Sequence, residues 1–141
     1  ILIFPFFSKK HKNKKWPHFK KLVNMIKEIY KNKYSILIAP GPGEEDDAKN
    51  FNAKVILSDS NPINLNQLIT LINNSKFVIS NDTGPAHICS HLKKKGVVLF
   101  GSHTSPNKVS IENSGFKALQ AKELKLLNPE IVMNEIKKYL N

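Results

Sequence analysis

Short apolar runs alternate along this chain with segments in which apolar residues recur every three or four positions. The runs predict strands at residues 1–7, 34–39, 55–57, 77–80, 97–100 and 116–119. The helical spacing predicts helices over residues 19–30, 48–51, 65–72, 85–92 and 131–140. Because most of the strands have no polar face of their own, they indicate a parallel sheet covered on both sides. The pattern therefore predicts an α/β fold, a Rossmann-like doubly wound parallel sheet of about six strands.

The strand predicted at residues 77–80 ends abruptly at polar residues, and a helix-compatible segment follows at once. Residues 81–83 are all of types that cap helices, and Pro85 suits a first helical turn because its missing N–H would have no partner there. Gly84 lets the backbone approach a ligand closely. The free N–H groups of a new helix at the carboxyl end of a strand favour an anion. The stretch predicts either an anion-binding loop or a capped turn without a ligand.

Other predicted strands also end in polar loops. A cationic loop follows the first strand (8–17), a tight turn and four acids follow the second (40–47), and residues 58–64 and 101–107 follow the third and fifth. Parallel strands present their carboxyl ends at one edge of a sheet, so these loops are expected to line that edge. The acids also complement the dipole of a helix start, which explains them without a ligand.

The length and composition are those of one soluble domain, residues 1–141. There is no internal repeat, and no apolar run approaches the roughly 20 residues that a membrane helix needs. Cys89 is the only cysteine and lies in an apolar helical segment, which favours a buried thiol and a reducing compartment. Residues 1–7 indicate a core strand rather than a signal peptide, and they lack an initiator Met. The chain is therefore expected to have been cut from something longer.

Lysine supplies all of the basic charge. The 22 Lys and Arg residues are all Lys, there are 11 Asp and Glu, and the formal net charge is +11. Such a field attracts nucleotides, acidic lipid surfaces and nucleic acid, or it reflects a composition that only solvates the surface. The lack of Arg argues against sequence-specific DNA reading. A non-catalytic phosphate- or nucleic-acid-binding module stays an alternative, but Trp16 stands alone among the lysines, whereas single-strand binders interleave several aromatics.

The histidines do not have the spacing of a zinc site. His87 and His91 lie one helical turn apart, but no acid of an HExxH pattern accompanies them, so no metal site is predicted. The sequence also lacks a GxGxxG turn, a Walker phosphate loop and a nucleophile elbow. The common nucleotide and hydrolase motifs therefore give no assignment.

Four less common motifs follow one another along the chain. They are KKWP at residues 14–17, GPGE at 41–44, ISNDTGPAH at 79–87 and LFGSHTSP at 99–106. In this order and spacing they resemble glycosyltransferase family 9, the bacterial lipopolysaccharide heptosyltransferases of GT-B architecture. The resemblance covers essentially the whole chain and corresponds to the carboxyl-terminal, nucleotide-sugar-binding half of such an enzyme. The amino-terminal domain, which in this family holds the acceptor site and the general base, is expected outside this chain, so no catalytic residue is expected within it.

The resemblance implies donor-binding roles for four residues of the first three loops. Lys14 matches the lysine of the family's K-x-W-P motif and would neutralise the diphosphate of the donor. Ser8 would add a hydroxyl to the same group. Glu44 would accept hydrogen bonds from ribose hydroxyls, and Ile63 would contact the nucleobase.

The D-T-G-x-x-H motif implies four further site residues. Asp82 would hold sugar hydroxyls, Thr83 and Gly84 would offer groups to the diphosphate, and His87 would lie beside them. A core or capping histidine is the alternative for His87. The later segment at residues 101–106 is one residue longer than the family's commonest form, so no role is carried over onto it.

The function that the resemblance implies is inverting transfer of a heptose or related sugar from an ADP-sugar to a lipopolysaccharide core acceptor. The expected partners are the nucleotide-sugar donor and, through the missing domain, a lipid-linked saccharide; no cofactor, metal or specific nucleic acid is expected. The expected location is the cytoplasm, with a peripheral contact to the anionic inner face of the bacterial inner membrane. A nucleotide-sugar epimerase of similar architecture is a further alternative, which the motif order disfavours.

Overall fold

A computed structural model describes residues 1–7 and 14–140, apart from the side chain of Asn32. In these ranges one sheet of six strands forms, and each pair of neighbours is parallel. The strands are β1 (Leu2–Phe4), β2 (Leu37–Ile38), β3 (Lys54–Val55), β4 (Val78–Asn81), β5 (Gly96–Phe100) and β6 (Phe116–Gln120). The predicted α/β fold with a six-stranded parallel sheet is therefore confirmed.

Six α-helices connect or follow the strands in the described ranges. They are α1 (Phe19–Tyr30), α2 (Glu45–Ala48), α3 (Leu65–Asn74), α4 (Gly84–His91), α5 (Pro106–Val109) and α6 (Pro129–Leu140). Short 3-10 turns occupy Lys31–Lys33 and Leu124–Leu126. None of the helices that the structure describes combines the length and the apolar character needed to cross a membrane.

The structure corrects several predicted boundaries. The strand expected at residues 1–7 ends at Phe4, because Pro5 has no N–H to donate to a neighbouring strand. Helix α2 ends at Ala48, where the helix predicted at residues 48–51 was expected to begin. The acidic residues before Ala48 form this helix instead. Helix α5 was not predicted, because four residues are too few to show a helical period.

The sheet is covered on both faces, as the apolar strands predicted. One core cluster packs α1 and α6 against alternate strand residues such as Ile3, Ile79 and Val97. The other packs α3 and α4 against the residues between them, such as Val78 and Val98. All residues of β4 and β5 are buried. Full burial of one Val or Ile side chain contributes roughly 1.5–3 kcal/mol, so these two central strands anchor the fold.

The strand order β3-β2-β1-β4-β5-β6 places a change of direction at the centre of the sheet. From β1 the chain builds outward through β2 to β3, and it then returns to lay β4 on the other side of β1. At such a point the loops after the two central strands leave in opposite directions and open a crevice, which is where ligands bind in these folds. Lys14, in the loop after β1, and the polar residues after β4 meet at this crevice.

Candidate functional site

A cleft of about 390 Å³ lies at the carboxyl ends of β1, β2 and β4. Its polar lining comes from Lys14 in the loop after β1, Glu44 in the loop after β2, and Asp82 and Thr83 after β4. The rings of Phe6 and Phe7 contribute an apolar wall. Segments far apart in the sequence thus converge on one opening, at the change of direction in the sheet.

Asp82 lies at the centre of the charged groups of this cleft. Lys14 Nζ donates to Asp82 Oδ2 at 2.8 Å and to the Asp82 carbonyl at 3.2 Å. His103 Nε2 lies 3.0 Å from the same Oδ2, and His87 Nε2 lies 3.6 Å from Oδ1. The Asp82 side chain is only 3% exposed, whereas Lys14 is 22% exposed and His87 41% exposed. A nearly buried carboxylate therefore has a lysine and one imidazole, that of His103, as hydrogen-bond partners.

These contacts decide the charge state of Asp82. Burial by itself raises the pKa of a carboxyl group. At Asp82 the hydrogen bonds from Lys14 and His103, together with the positive charge of Lys14, outweigh burial, so its pKa lies below the ordinary value. Asp82 is accordingly a carboxylate at neutral pH, able to accept hydrogen bonds but unable to donate them.

Helix α4 begins beside this carboxylate. Thr83 is the residue that precedes the first helical turn, and its backbone is extended (φ −143°, ψ 172°). Its hydroxyl makes no capping hydrogen bond within the described chain, so the sequence-based expectation of a side-chain cap is wrong here. Pro85 lies in the first turn, as predicted. The amino end of α4 therefore faces the cleft with its partial positive charge, which favours an anion.

Glu44 reaches the cleft from a tight turn between β2 and α2. Gly43 has a positive φ of 80° and follows Pro42, an arrangement typical of a type II turn, and the Glu44 N–H donates to the Gly41 carbonyl at 3.1 Å. The Glu44 side chain folds back, and its Oε2 accepts from the Gly41 N–H at 2.8 Å. Burial raises the pKa of Glu44, and the charges of Glu45 and Asp47 add to that rise, against the lowering effect of the Gly41 hydrogen bond.

Two buried hydrogen bonds, made by Asn81 and Trp16, anchor residues next to the cleft. Asn81, the last residue of β4, donates through Nδ2 to the Pro5 carbonyl at 2.7 Å and thereby ties the β4 end to the loop after β1. Trp16 is 2% exposed and donates through Nε1 to the Leu127 carbonyl at 2.9 Å. Since Trp16 follows Lys14 by two residues, its anchoring restricts where the lysine can lie. The K-x-W-P motif thus couples a buried anchor to a cation at the cleft.

The remaining predicted site residues are distributed unevenly. Gly84 lines the cleft. His87 contacts the Asp82 carboxylate one turn into α4, so it is not a core histidine.

Ile63 lines a separate apolar groove of about 520 Å³ beside α3, together with residues such as Leu57 and Leu71. Ser8 lies outside the described residues. The role predicted for Ile63 is not supported by a position in the cleft, and it stays a prediction, as does the role of Ser8.

His103 is the residue that sequence reasoning missed. It contacts the central carboxylate although it lies in the loop after β5, where the sequence departs from the family's spacing. That loop was expected at the same edge of the sheet, but nothing in its residue types selected His103 over its neighbours. No group of three or more His, Cys, Asp or Glu side chains in residues 1–7 and 14–140 is arranged to hold a metal ion.

The fold and the cleft define a Rossmann-like α/β domain with its ligand crevice at the change of strand direction. The sequence model of glycosyltransferase family 9 (heptosyltransferase) matches residues 1–130, and the chain belongs to this family. The resemblance carried by its four motifs is thereby confirmed. The search of curated protein sequences found no match.

Solved structures with the same fold include heptosyltransferases and a further family member. The E. coli heptosyltransferase WaaC with ADP has a TM-score of 0.82 and 22% identity, covering 98% of this chain and 43% of that one. WaaC with ADP-2-deoxy-2-fluoro heptose gives 0.79 and 21%, covering 97% and 42%. The family 9 glycosyl transferase from Veillonella parvula gives 0.79 and 19%, covering 99% and 46%. This chain therefore spans less than half the length of each of these proteins.

Proposed function

We propose that this chain is the donor-binding domain of an inverting glycosyltransferase that transfers a heptose or related sugar from an ADP-sugar to a lipopolysaccharide core acceptor. The observation that carries the proposal is the cleft at the change of strand direction, where Lys14, Glu44, Asp82 and the start of α4 converge in a member of the heptosyltransferase family. The structures of E. coli WaaC with ADP and with an ADP-heptose analogue support the choice of donor.

The diphosphate would lie between Lys14 and the amino end of α4. Lys14 donates to Asp82, and its side chain also borders the cleft, so its Nζ has further N–H groups that can donate to a phosphate oxygen. The backbone at Thr83 and Gly84 adds the positive end of a helix dipole. The two groups together would neutralise a diphosphate without a metal ion, and metal independence is part of the proposal.

The two carboxylates would read the two sugars of the donor. Glu44 has one oxygen bonded to Gly41 and a second available to accept from ribose hydroxyls. Asp82 would accept from the hydroxyls of the transferred sugar, with His87 beside it. Apolar walls such as Phe6 and Phe7 would exclude water from the region between them. A hexose or heptose is rich in hydroxyl donors, for which a fixed carboxylate is the matching acceptor.

In the reaction an acceptor hydroxyl oxygen would attack the anomeric carbon from the face opposite the diphosphate. The new C–O bond forms as the bond from that carbon to the β-phosphate oxygen breaks, and the hydroxyl proton passes to a general base. The leaving ADP gains negative charge, which Lys14 and the α4 start are placed to stabilise as it develops. We propose that the general base and the lipid-linked acceptor site belong to a part of the enzyme outside this chain.

The lysine-rich surface fits an enzyme that works against an anionic membrane face. We propose a cytoplasmic location at the inner face of the bacterial inner membrane, with attraction to acidic lipids supplied by the net charge of +11. The alternative of a nucleic-acid-binding module loses support, because Trp16, which sequence placed among the lysines, is buried and cannot stack on a base.

Calorimetric titration with ADP and adenosine tests the proposed donor site. The parent chain should bind ADP saturably and more weakly as salt is added, and residues 1–141 alone should transfer no sugar. Lys14→Ala should weaken ADP by about 10- to 100-fold, since a hydrogen bond to a charged group contributes roughly 1.5–3 kcal/mol. The same variant should leave adenosine binding nearly unchanged, because adenosine carries no phosphate.

Lys15→Ala is the matched control for this experiment. Lys15 is exposed, and its Nζ lies 5.8 Å from the centre of the Phe7 ring. The Lys15→Ala substitution therefore removes the same charge from the same loop without removing a contact to Asp82. Equal losses of ADP and adenosine in Lys14→Ala, or equal losses of ADP in both variants, would contradict a specific diphosphate contact. Sugar transfer by the isolated chain would contradict the placement of the base outside it.

A further inference from the structure

His103 contributes a buried aromatic side chain to the edge of the cleft. Its side chain is 7% exposed, and its ring stacks on Phe100 with a centroid distance of 6.1 Å and an interplanar angle of 11°. Phe100 is the last residue of β5 and is fully buried, so the stacked ring is held by the core rather than by the loop alone. The ring position is therefore defined by packing, and the ring edge that carries Nε2 meets the Asp82 carboxylate.

The contact between His103 and Asp82 has a definite donor. Nε2 lies 3.0 Å from Asp82 Oδ2, and an ionised carboxylate oxygen can only accept, so Nε2 carries the hydrogen. Nδ1 is buried and has no hydrogen-bond partner in the described part of the chain. A hydrogen on Nδ1 would be a buried donor without an acceptor, which disfavours the opposite tautomer.

His103 and Lys14 both donate to the same oxygen of Asp82. Oδ2 lies 2.8 Å from Lys14 Nζ and 3.0 Å from His103 Nε2. Oδ1 accepts no hydrogen bond from residues 1–7 or 14–140, and the exposed His87 lies 3.6 Å from it. Two donors on one oxygen fix the rotation of the carboxylate and leave the other oxygen available.

We propose that His103 is a positioning residue of the donor site, which donates from Nε2 to Asp82 Oδ2 and thereby orients Oδ1 toward the hydroxyls of the transferred sugar. This inference rests on the proposed donor-binding function and adds to it a specificity-determining residue from the β5 loop. His103 acts through Asp82 and touches neither the nucleotide nor the diphosphate. Its effect should therefore depend on the presence of the sugar and on the presence of the Asp82 carboxylate.

Two substitutions separate the donor from the stacked ring. His103→Phe keeps an aromatic ring against Phe100 but removes the N–H, and His103→Gln keeps an N–H donor of similar reach but removes the ring. In calorimetry, His103→Phe should weaken ADP-heptose roughly tenfold, as expected for loss of a hydrogen bond to a charged group, while ADP changes by less than about twofold. His103→Gln should restore most of the loss. Equal losses for the two ligands, or no rescue by Gln, would overturn the inference.

A double-mutant cycle with Asp82→Asn tests whether His103 acts through the carboxylate. In the Asp82→Asn background, His103→Phe should change ADP-heptose affinity by less than about twofold, because the oriented group is already gone. An undiminished tenfold effect in that background would show that His103 contacts the ligand itself, or acts on the fold, and would overturn the positioning role. Melting temperatures of all variants show whether an affinity change reflects unfolding.

Nitrogen-15 NMR of the imidazole rings tests the contact without any ligand. His103 is expected to carry its hydrogen on Nε2, and Asp82→Asn should change the nitrogen shifts of the His103 ring. A His103 ring with hydrogen on Nδ1 alone would overturn the positioning role. If the parent chain binds neither ADP nor ADP-heptose, the proposed function fails, and the sugar-orienting role fails with it. If Asp82→Asn loses ADP-heptose but His103→Phe does not, only the role of His103 is refuted and the donor site stands.

Discussion

Two carboxylates face the same cleft and differ in what surrounds them. Asp82 is nearly buried between Lys14 and His103, which lower its pKa despite burial. Glu44 is half-buried, has no ion pair in the described ranges and bonds through one oxygen to the Gly41 N–H, and its pKa is raised. Burial raises the pKa at both sites, and at Asp82 the hydrogen bonds from Lys14 and His103, with the charge of Lys14, reverse the outcome.

These surroundings show which part of the cleft has its geometry set by the fold itself. The Asp82 carboxylate is held by groups from two other segments, so its geometry belongs to the fold. Glu44 depends on a local turn, and its charge meets no ion-pair partner in residues 1–7 and 14–140. Hydroxyl donors of a ligand would offset the cost of burying the ionised Glu44 carboxylate. The Asp82 carboxylate is already oriented, so a ligand need only place a donor along that orientation.

The largest expected difference between the two carboxylates is in stability. Asp82→Ala should lower the free energy of unfolding by about 2 kcal/mol, because it leaves a buried His103 donor and the Lys14 ammonium without their acceptor, and an unsatisfied buried donor costs roughly 1–3 kcal/mol. Glu44→Ala should cost less, since only a backbone N–H at the surface of a turn loses its partner. Urea denaturation measures both values. Asp46→Ala, which removes an exposed partner of Lys49, is the control and should behave like the parent. A smaller loss for Asp82→Ala than for Glu44→Ala would contradict the comparison.

A smaller effect is expected when Asp82 keeps its shape and loses its charge. Asp82→Asn should weaken ADP-heptose about tenfold, since one end of the amide can only donate, while ADP binding stays level or improves as a negative charge near the diphosphate disappears. Isothermal titration of both ligands measures the split. Asp59→Asn makes the same chemical change at an exposed turn and should affect neither ligand. Unchanged binding of both ligands by Asp82→Asn would remove the sugar contact from the proposal.

The smallest effect is a pH dependence of stability with opposite sign at the two sites. The lowered pKa of Asp82 adds stability at neutral pH, and this is lost as the pH falls below about 4, the ordinary value for Asp. The raised pKa of Glu44 does the reverse: its ionised form costs stability as the pH rises above about 4.5. Glu44→Gln should therefore be more stable than the parent at neutral pH and equal to it in acid.

Denaturation midpoints of Glu44→Gln and the parent between pH 3 and pH 7 check this sign. A difference that shrinks toward neutral pH would show that burial does not raise the pKa of Glu44. The same variant sharpens the ribose assignment, since its affinity for ADP should fall while its stability rises. A rise in both ADP affinity and stability would mean that Glu44 accepts no hydrogen bond from the ribose.

The sequence was enough to predict the succession of most strands and helices along the chain. The alternation of apolar runs with helical spacing is a local signal, and it predicted a covered parallel sheet and an edge lined by polar loops. The polar residues 81–83 and Pro85 located the start of α4 to within a residue, although Thr83 makes no side-chain cap. The motifs that resemble the family predicted Lys14, Glu44 and Asp82 for one site, and the structure brings these three to one cleft.

How the charges in the cleft pair with one another depends instead on the tertiary packing. Lys14 and Asp82 are 68 residues apart in the chain, and His103 is 21 residues from Asp82, so no periodicity or spacing links them. The strand order and the loop conformations set these distances, and a one-residue difference in the loop after β5 hid His103 from comparison by motif. Local patterns fix which segments become strands and helices, whereas a side chain's partner depends on how those segments are packed together in space.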